Sequence, residues 1–348
     1  MSQLFSRISK LSSPLNRRRF STAPYLYLGR EVVGESPCGG NVVNFNLYDP
    51  RKEEQVVIQN KTLSKHLRES KRIGSSRGWL AMMNKRDSTV RLTDILSNNP
   101  SKTISLPPLI KDQETERLIN VSVSSKDHAG RVVVAARSDG SRLSLCRVGD
   151  SEWTRVDLPC PAFRLSPVMY SDRDRKFYVN SCISDYSGPT EYGPVNAYVR
   201  YPLSNSPKLD LRRLNIHQLF VESPSGESFI VLWGLDCMTD KGEAVEWKDK
   251  MSNQRELLIK TRNIMVYRQD SDKGIGPYTK DIGDLCIFVG ENEPFCLSPS
   301  DYPGLKPNSV YFAGRGSGYG ICDLASSTIT YLSDSPIRHP LFWIPPQN

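Results

Sequence analysis

Acidic residues are missing from the start of this chain. No Asp or Glu precedes Glu31, whereas Arg7, Lys10, Arg17, Arg18, Arg19 and Arg30 do. The formal charge of +8 therefore misleads if taken whole: the first five of those cations account for most of it and leave +3 for the rest. That remainder shows no basic face or stripe, so nucleic acid is not an expected partner. Paired metal-binding cysteines are missing too. The eight cysteines, at 38, 146, 160, 182, 237, 286, 296 and 322, form no CxxC and no Cys/His cluster at zinc spacing. Their even number admits disulfides. Their scatter through apolar strand patterns such as "LCIFVG" (285–290) favours free thiols in a reducing compartment. Apolar runs stay far below the ~18 residues of a membrane-spanning helix. Long helical periodicity is also absent, which argues against α/β folds.

What stands in place of the acids is an address. "MSQLFSRISKLSSPLNRRRFSTAPY" is rich in Arg and Ser, and Leu4, Ile8, Leu11 and Leu15 recur at helical spacing up to the break imposed by Pro14. Arg18-Arg19-Phe20-Ser21 is similar to a mitochondrial cleavage pattern. Residues 1–21 are therefore expected to be a mitochondrial transit peptide leading to the matrix. A chloroplast address or a disordered basic tail are the alternatives. The lack of a continuous apolar core argues against a secretory signal.

From residue 25 onward the chain consists of short apolar runs cut by turn residues. "YLYLGR" (25–30), "VVNFNLY" (42–48) and "QVVIQ" (55–59) read as strands, and "TLSKHLRES" (62–70) as one short helix. "GWLAMM" (78–83), "TVRLTDI" (89–95) and "KTISL" (102–106) follow. The clearest group is "LINVSVS" (118–124), "RVVVAAR" (131–137), "RLSLCRV" (142–148) and "WTRVD" (153–157), with Asp139-Gly140 at a hairpin needing positive φ. Three further groups run to "TITYL" (328–332). Grouping at ~40–50 residues is the spacing of propeller blades. Such sheets cover one another by radial stacking. The expectation is an all-β fold, a β-propeller of six blades with five or seven as alternatives, closed where residues 25–60 meet 309–332. Residues 22–72 supply N-terminal strands and the short helix of the propeller, and 73–346 its main domain.

Three stretches carry a family resemblance. Residues 73–109 begin "IGSSRGWLAMMNKRDSTVRL" and end in "LPPL"; "LCRVGDSEWTRVD" (145–157) and "IGDLCIFVGENEPFCLSPSDYPGLKPNSVYFAG" (282–314) follow. Together they resemble the plant domain-of-unknown-function 295 family, the KIB-type F-box-associated propeller. Many members of that family carry an N-terminal F-box and act as substrate receptors of ubiquitin ligases. Here an acid-free leader stands where the F-box would, so the chain resembles the organellar subgroup lacking it. The resemblance implies no enzymatic activity.

Gly74-Ser75-Ser76-Arg77-Gly78 could cradle a phosphate or present a nucleophile. A phosphate loop needs Lys-Ser/Thr and a helix after the second glycine, and a nucleophile elbow needs Gly-x-Ser-x-Gly before a helix. Trp79-Leu80-Ala81 reads instead as a strand, so the glycines are expected to make a tight corner and Trp79 to pack between blades. "AGRGSGYG" (313–320) misplaces the third glycine of a dinucleotide fingerprint and reads as a hairpin, with Arg315 exposed at its tip. His66, His128, His217 and His339 are scattered. "SDRDRKFY" (171–178) alternates charges like a solvated turn. "SDYSGPTEYGPVNAY" (184–198) carries Tyr186, Tyr192 and Tyr198, which suit either partner contact or local packing. "DCMTDKGEAVEWKDKMSNQRELL" (236–258) is a charged insertion around Trp247. No catalytic, cofactor-binding or metal residue is assigned. The expected function is a non-enzymatic scaffold or protein-binding propeller inside mitochondria. An enzyme or small-ligand site at the central channel is the alternative, and a ubiquitin-ligase adaptor role is a weaker one.

Overall fold

The computed structural model describes residues 23–37, 39–97, 103–109, 118–126, 130–138, 142–158, 167–179, 186–188, 195–197, 215–239, 243–245, 258–270, 274–314, 318–333 and 339–347. These form strands, apart from one 3₁₀ turn at Lys65–Leu67 where a short helix was expected over 62–70. The first sheet holds β1 (Tyr25–Glu35), β2 (Asn41–Asp49) and β3 (Glu54–Leu63). The second holds β4 (Ser70–Ser76), β5 (Trp79–Asn84), β6 (Thr89–Thr93) and β7 (Thr103–Pro108). In the third, β8 (Leu118–Val123), β9 (Val133–Ser138), β10 (Arg142–Arg147) and β11 (Thr154–Asp157) form an antiparallel meander. The fourth contains β12 (Val168–Ser171), β13 (Lys176–Val179), β14 (Tyr186–Gly188) and β15 (Val195–Ala197). The fifth contains β16 (Asn215–Glu222), β17 (Ser228–Met238), β18 (Ala244–Val245), β19 (Leu258–Asp270) and β20 (Gly274–Thr279). The sixth contains β21 (Cys286–Val289), β22 (Phe295–Leu297), β23 (Ser309–Gly314), β24 (Gly318–Asp323) and β25 (Thr328–Tyr331). The last strand, β26 (Phe342–Ile344), returns to the first sheet and pairs with β1.

The propeller expectation holds, but the blades are not alike. Five sheets are full blades. Among the described residues the fourth is short: its strands there are three or four residues long, and β13 meets β15 in parallel over two residue pairs. The expected six blades are thus corrected to five, the weighed alternative, with a short sheet between the third and fifth. The sequence gives the reason. Pro189 directly follows β14 and Pro194 directly precedes β15, and proline cannot donate to a ladder.

Stacking is apolar at every junction between consecutive sheets, as expected when each sheet exposes two greasy faces. Leu80 and Met82 of the second sheet pack on Tyr27 and Phe45 of the first. Val121 and Val134 of the third meet Ile73 and Leu92 of the second. Met169 and Tyr178 meet Phe220 and Ile230, and Val231 and Val266 meet Ile287 and Phe312. The ring closes where Leu26 and Tyr48 pack against Tyr311 and Tyr319, the Tyr48 and Tyr319 rings lying 5.0 Å apart. Residues 25–60 and 309–332 thus meet by packing. Hydrogen-bonded closure comes instead from β26, through Leu26↔Trp343 and its neighbours, a strand absent from the sequence reading. Trp343 is fully buried, edge-on to Phe288 at 5.1 Å.

Candidate functional site

The strands nearest the axis are β26, β4, β8, β12, β16 and β22, each beside the next around most of the ring. β4, β8 and β12 end at one face, in the order Ser76, Val123, Ser171. Their ends are tied together. The Ser76 hydroxyl accepts from the Val123 N–H at 2.9 Å, and Arg77 Nε donates to the Val123 carbonyl at 2.8 Å. Arg77 also reaches Asp172 at 2.6 Å and lies over the Tyr170 ring, 5.3 Å from its centroid.

Into this convergence the sixth sheet inserts a carboxylate. Glu293 follows β21 and precedes β22. Its Oε1 accepts from the Ser122 hydroxyl at 2.7 Å and from the Tyr170 N–H at 2.6 Å. Its Oε2 is held by the Ser76 hydroxyl. Its own N–H donates to the Ser75 carbonyl at 3.0 Å. A side chain of the sixth sheet that bonds to the second, third and fourth must cross the middle of the ring, so Glu293 fills the axis at this level. Burial pushes its carboxyl above the usual range, against the opposing pull of Arg77 and the three hydrogen bonds. The backbone around it has no slack. A Cβ on Gly290 would come within 2.6 Å of Asn292 Oδ1 and 2.9 Å of the Ala313 carbonyl.

The Gly74–Gly78 corner is where the structural reading of that motif stands on geometry. Gly74 lies so close to β8 that a Cβ would sit 2.8 Å from the Val121 nitrogen. Arg77 and Gly78 both take positive φ, 49° and 77°, and turn the chain into β5. Trp79 is half-buried against the second–third sheet junction. The serines lie within the fold: Ser75 and Ser76 are buried, and Ser76 is spent on Glu293 and Val123.

"SDRDRKFY" proves to be more than a solvated turn. Besides Asp172 on Arg77, Arg173 forks onto Asp174 and donates to the Gly226 carbonyl at 2.8 Å, linking the fourth sheet to the fifth. The Arg173 guanidinium and the Tyr178 hydroxyl hold the Asp174 carboxyl down to about 2. β23 and β24 pair through Gly314↔Gly318, the hairpin expected for 313–320, while Arg315 lies outside the described residues. β18 pairs with β17 inside the charged insertion, but Trp247 lies outside the described residues, as do Tyr192, Tyr198, His128 and the Asp139-Gly140 turn. His66 is exposed, His217 sits 5.9 Å from the Trp233 ring, and His339 Nε2 is 2.7 Å from the Leu28 carbonyl, so these three are not brought together.

Among the described residues, no group of three His, Cys, Asp or Glu could hold a metal, and no helix is long and apolar enough to cross a membrane. Cys146, Cys237, Cys286, Cys296 and Cys322 are free and buried. Burial pushes the Cys146 thiol up to about 11 and those of Cys296 and Cys322 to about 12, so they stay protonated and poorly nucleophilic at neutral pH. The sequence reading missed Glu293 altogether. It lies inside the quoted "VGENEPF", but nothing in its neighbours marks it as axial.

The model of the KIB1-4 beta-propeller family matches residues 46–331. A search of curated proteins finds no match. Solved structures similar to the chain include a post-proline cleaving enzyme from Rickettsia typhi, at 13% identity and a TM-score of 0.27, covering 60% of this chain and 33% of that one. The WD40 domain of SCAP from fission yeast is 11% identical, with a TM-score of 0.25, covering 90% of this chain and 56% of that one. A third, BBS1N in complex with ARL6DN, is 9% identical with a TM-score of 0.25, covering 74% and 97%.

Proposed function

Since this chain belongs to the KIB1-4 beta-propeller family, we propose that it is a non-enzymatic scaffold that binds a protein partner through the loops of its propeller faces. One observation carries the reading. The axis, where residues distant in sequence would converge on a small ligand, is filled by the Glu293 carboxylate, and both of its oxygens are engaged by Ser76, Ser122 and the Tyr170 N–H. A general base works from a lone pair within reach of a substrate proton, and Glu293 is buried with both of its oxygens already hydrogen-bonded to the fold. The polar groups left for recognition stand on the faces, on a rigid ring that suits binding.

We place the scaffold in the mitochondrial matrix. The acid-free segment before Glu31 supports this. Proximity labelling with the full chain tests both parts of the reading. Face variants Arg77→Glu and Asp172→Lys should lose specific neighbours that the parent chain labels in mitochondria. An identical labelled set from parent and variants would count against partner binding at this face. Labelling confined to cytosolic proteins would count against the address.

A further inference from the structure

Residues 290–293 touch more of the ring than their length would suggest. Glu293 binds the second, third and fourth sheets. Asn292 Nδ2 donates to the Glu293 carbonyl at 2.7 Å, while Asn292 Oδ1 accepts from the Trp343 N–H at 3.0 Å. Trp343 belongs to β26, which is held to β1 by three residue pairs. A three-residue strand is a weak closure by itself. The Trp343 N–H points to the latch residue Asn292, so the closing strand is gripped from both sides.

We propose that residues 290–293 are an axial latch, whose seating between β4, β8 and β12 locks the closing strand β26 onto the ring. Glu293 is its positioning residue. The chain of contacts is short: carboxylate to three inner strands, Glu293 carbonyl to the Asn292 amide, Asn292 oxygen to the Trp343 N–H. Seating is all-or-none for a physical reason. A buried carboxylate is tolerable only with its full set of donors, and half-seated it would leave both charge and donors unsatisfied. Gly290 lets the segment pack this closely, since a Cβ there would meet Asn292 Oδ1 at 2.6 Å and the Ala313 carbonyl at 2.9 Å. Unseating the latch would open the axis at the Ser76–Val123–Ser171 face and loosen β26 while the outer strands stay paired.

Hydrogen exchange of the full-length chain, resolved by mass spectrometry, tests this. In Glu293→Ala, the acceleration of the Trp343 and Tyr170 amides should exceed that of the β10 amides at least tenfold. In Asn292→Ala the coupling is cut: Trp343 should accelerate while Tyr170 stays protected. Glu293→Gln, which keeps volume and one acceptor, should fall between parent and Glu293→Ala. If Glu293→Ala fails to fold, Ser122→Ala removes a single donor and should accelerate Trp343 in the same direction by a smaller factor. Unchanged Trp343 exchange in Glu293→Ala or Ser122→Ala would overturn the latch. So would equal acceleration of β10 and β26, which would mean general destabilisation.

Discussion

The Ser122 hydroxyl donates to the Glu293 carboxylate at 2.7 Å, although the two residues are 171 positions apart and stand on the third and sixth sheets. The bond spans the ring, and its loss should be felt by the whole fold. Removing the carboxylate in Glu293→Ala leaves Ser76, Ser122 and the Tyr170 N–H without their buried acceptor. Each orphaned group costs roughly 1–3 kcal/mol, so a loss of about 3 kcal/mol or more is expected in urea unfolding. A change within about 0.5 kcal/mol would show that the carboxylate is not structural.

The same carboxylate gives a pH signature. Burial raises its folded value above the unfolded one, with Arg77 the charged neighbour opposing. The native state therefore holds the proton more tightly than the unfolded chain. Its contribution to stability is fullest below the unfolded value and is lost as pH rises through the window up to the folded one. Glu293→Gln does not titrate and so cancels the other groups. The melting temperature of the parent relative to Glu293→Gln should rise as pH falls from neutral toward 5. A flat or falling difference would refute the raised carboxyl. Asp174 has the opposite sign, since its depressed value means its contribution is lost as pH falls toward about 2.

Two glycines of the β4–β5 corner should differ. Gly74→Ala drives a Cβ against the Val121 backbone nitrogen, which cannot swing away, and should cost about 1–3 kcal/mol. Gly78→Ala strains a positive φ but meets the Gln347 side chain, which can move. It should cost about 1 kcal/mol. Thermal melts that rank Gly78→Ala as the more damaging would contradict the close packing of β4 on β8.

Closure by β26 predicts a large effect from the chain's last residues. Trp343→Ala empties a site enclosed by Phe288 and Tyr311 and should cost ~3–5 kcal/mol. Deleting residues 340–348 should abolish the single cooperative transition, measured by calorimetry. A truncated chain that melts like the parent would mean that the ring does not depend on its last strand.

Much of the blade pattern was readable because strands buried on both faces appear as short apolar runs, and turn residues interrupt them. "LSLC" of β10 and "VVAA" of β9 are short runs buried along almost their whole length, and their pairing needs only a hairpin. β26 escaped because "FWI" is three residues long and its partner, β1, begins 317 positions earlier. In the fourth sheet "NAYVRY" reads as a strand and β15 covers Val195–Ala197, the rest of the run lying outside the described residues; its parallel pairing with β13 is one no local pattern specifies. The Gly74–Gly78 corner was legible as structural because its spacing fits no phosphate or nucleophile motif. What its serines hold was not.

The sequence by itself determined the all-β character, most strand positions and the lack of acids before Glu31, since each depends on residues within a few positions of one another. Tertiary structure alone decided the closing strand, the unequal fourth sheet and the axial carboxylate. These join residues that only the curvature of the ring brings together, and the cost of burying Glu293 becomes tolerable only once three separate strands supply its donors.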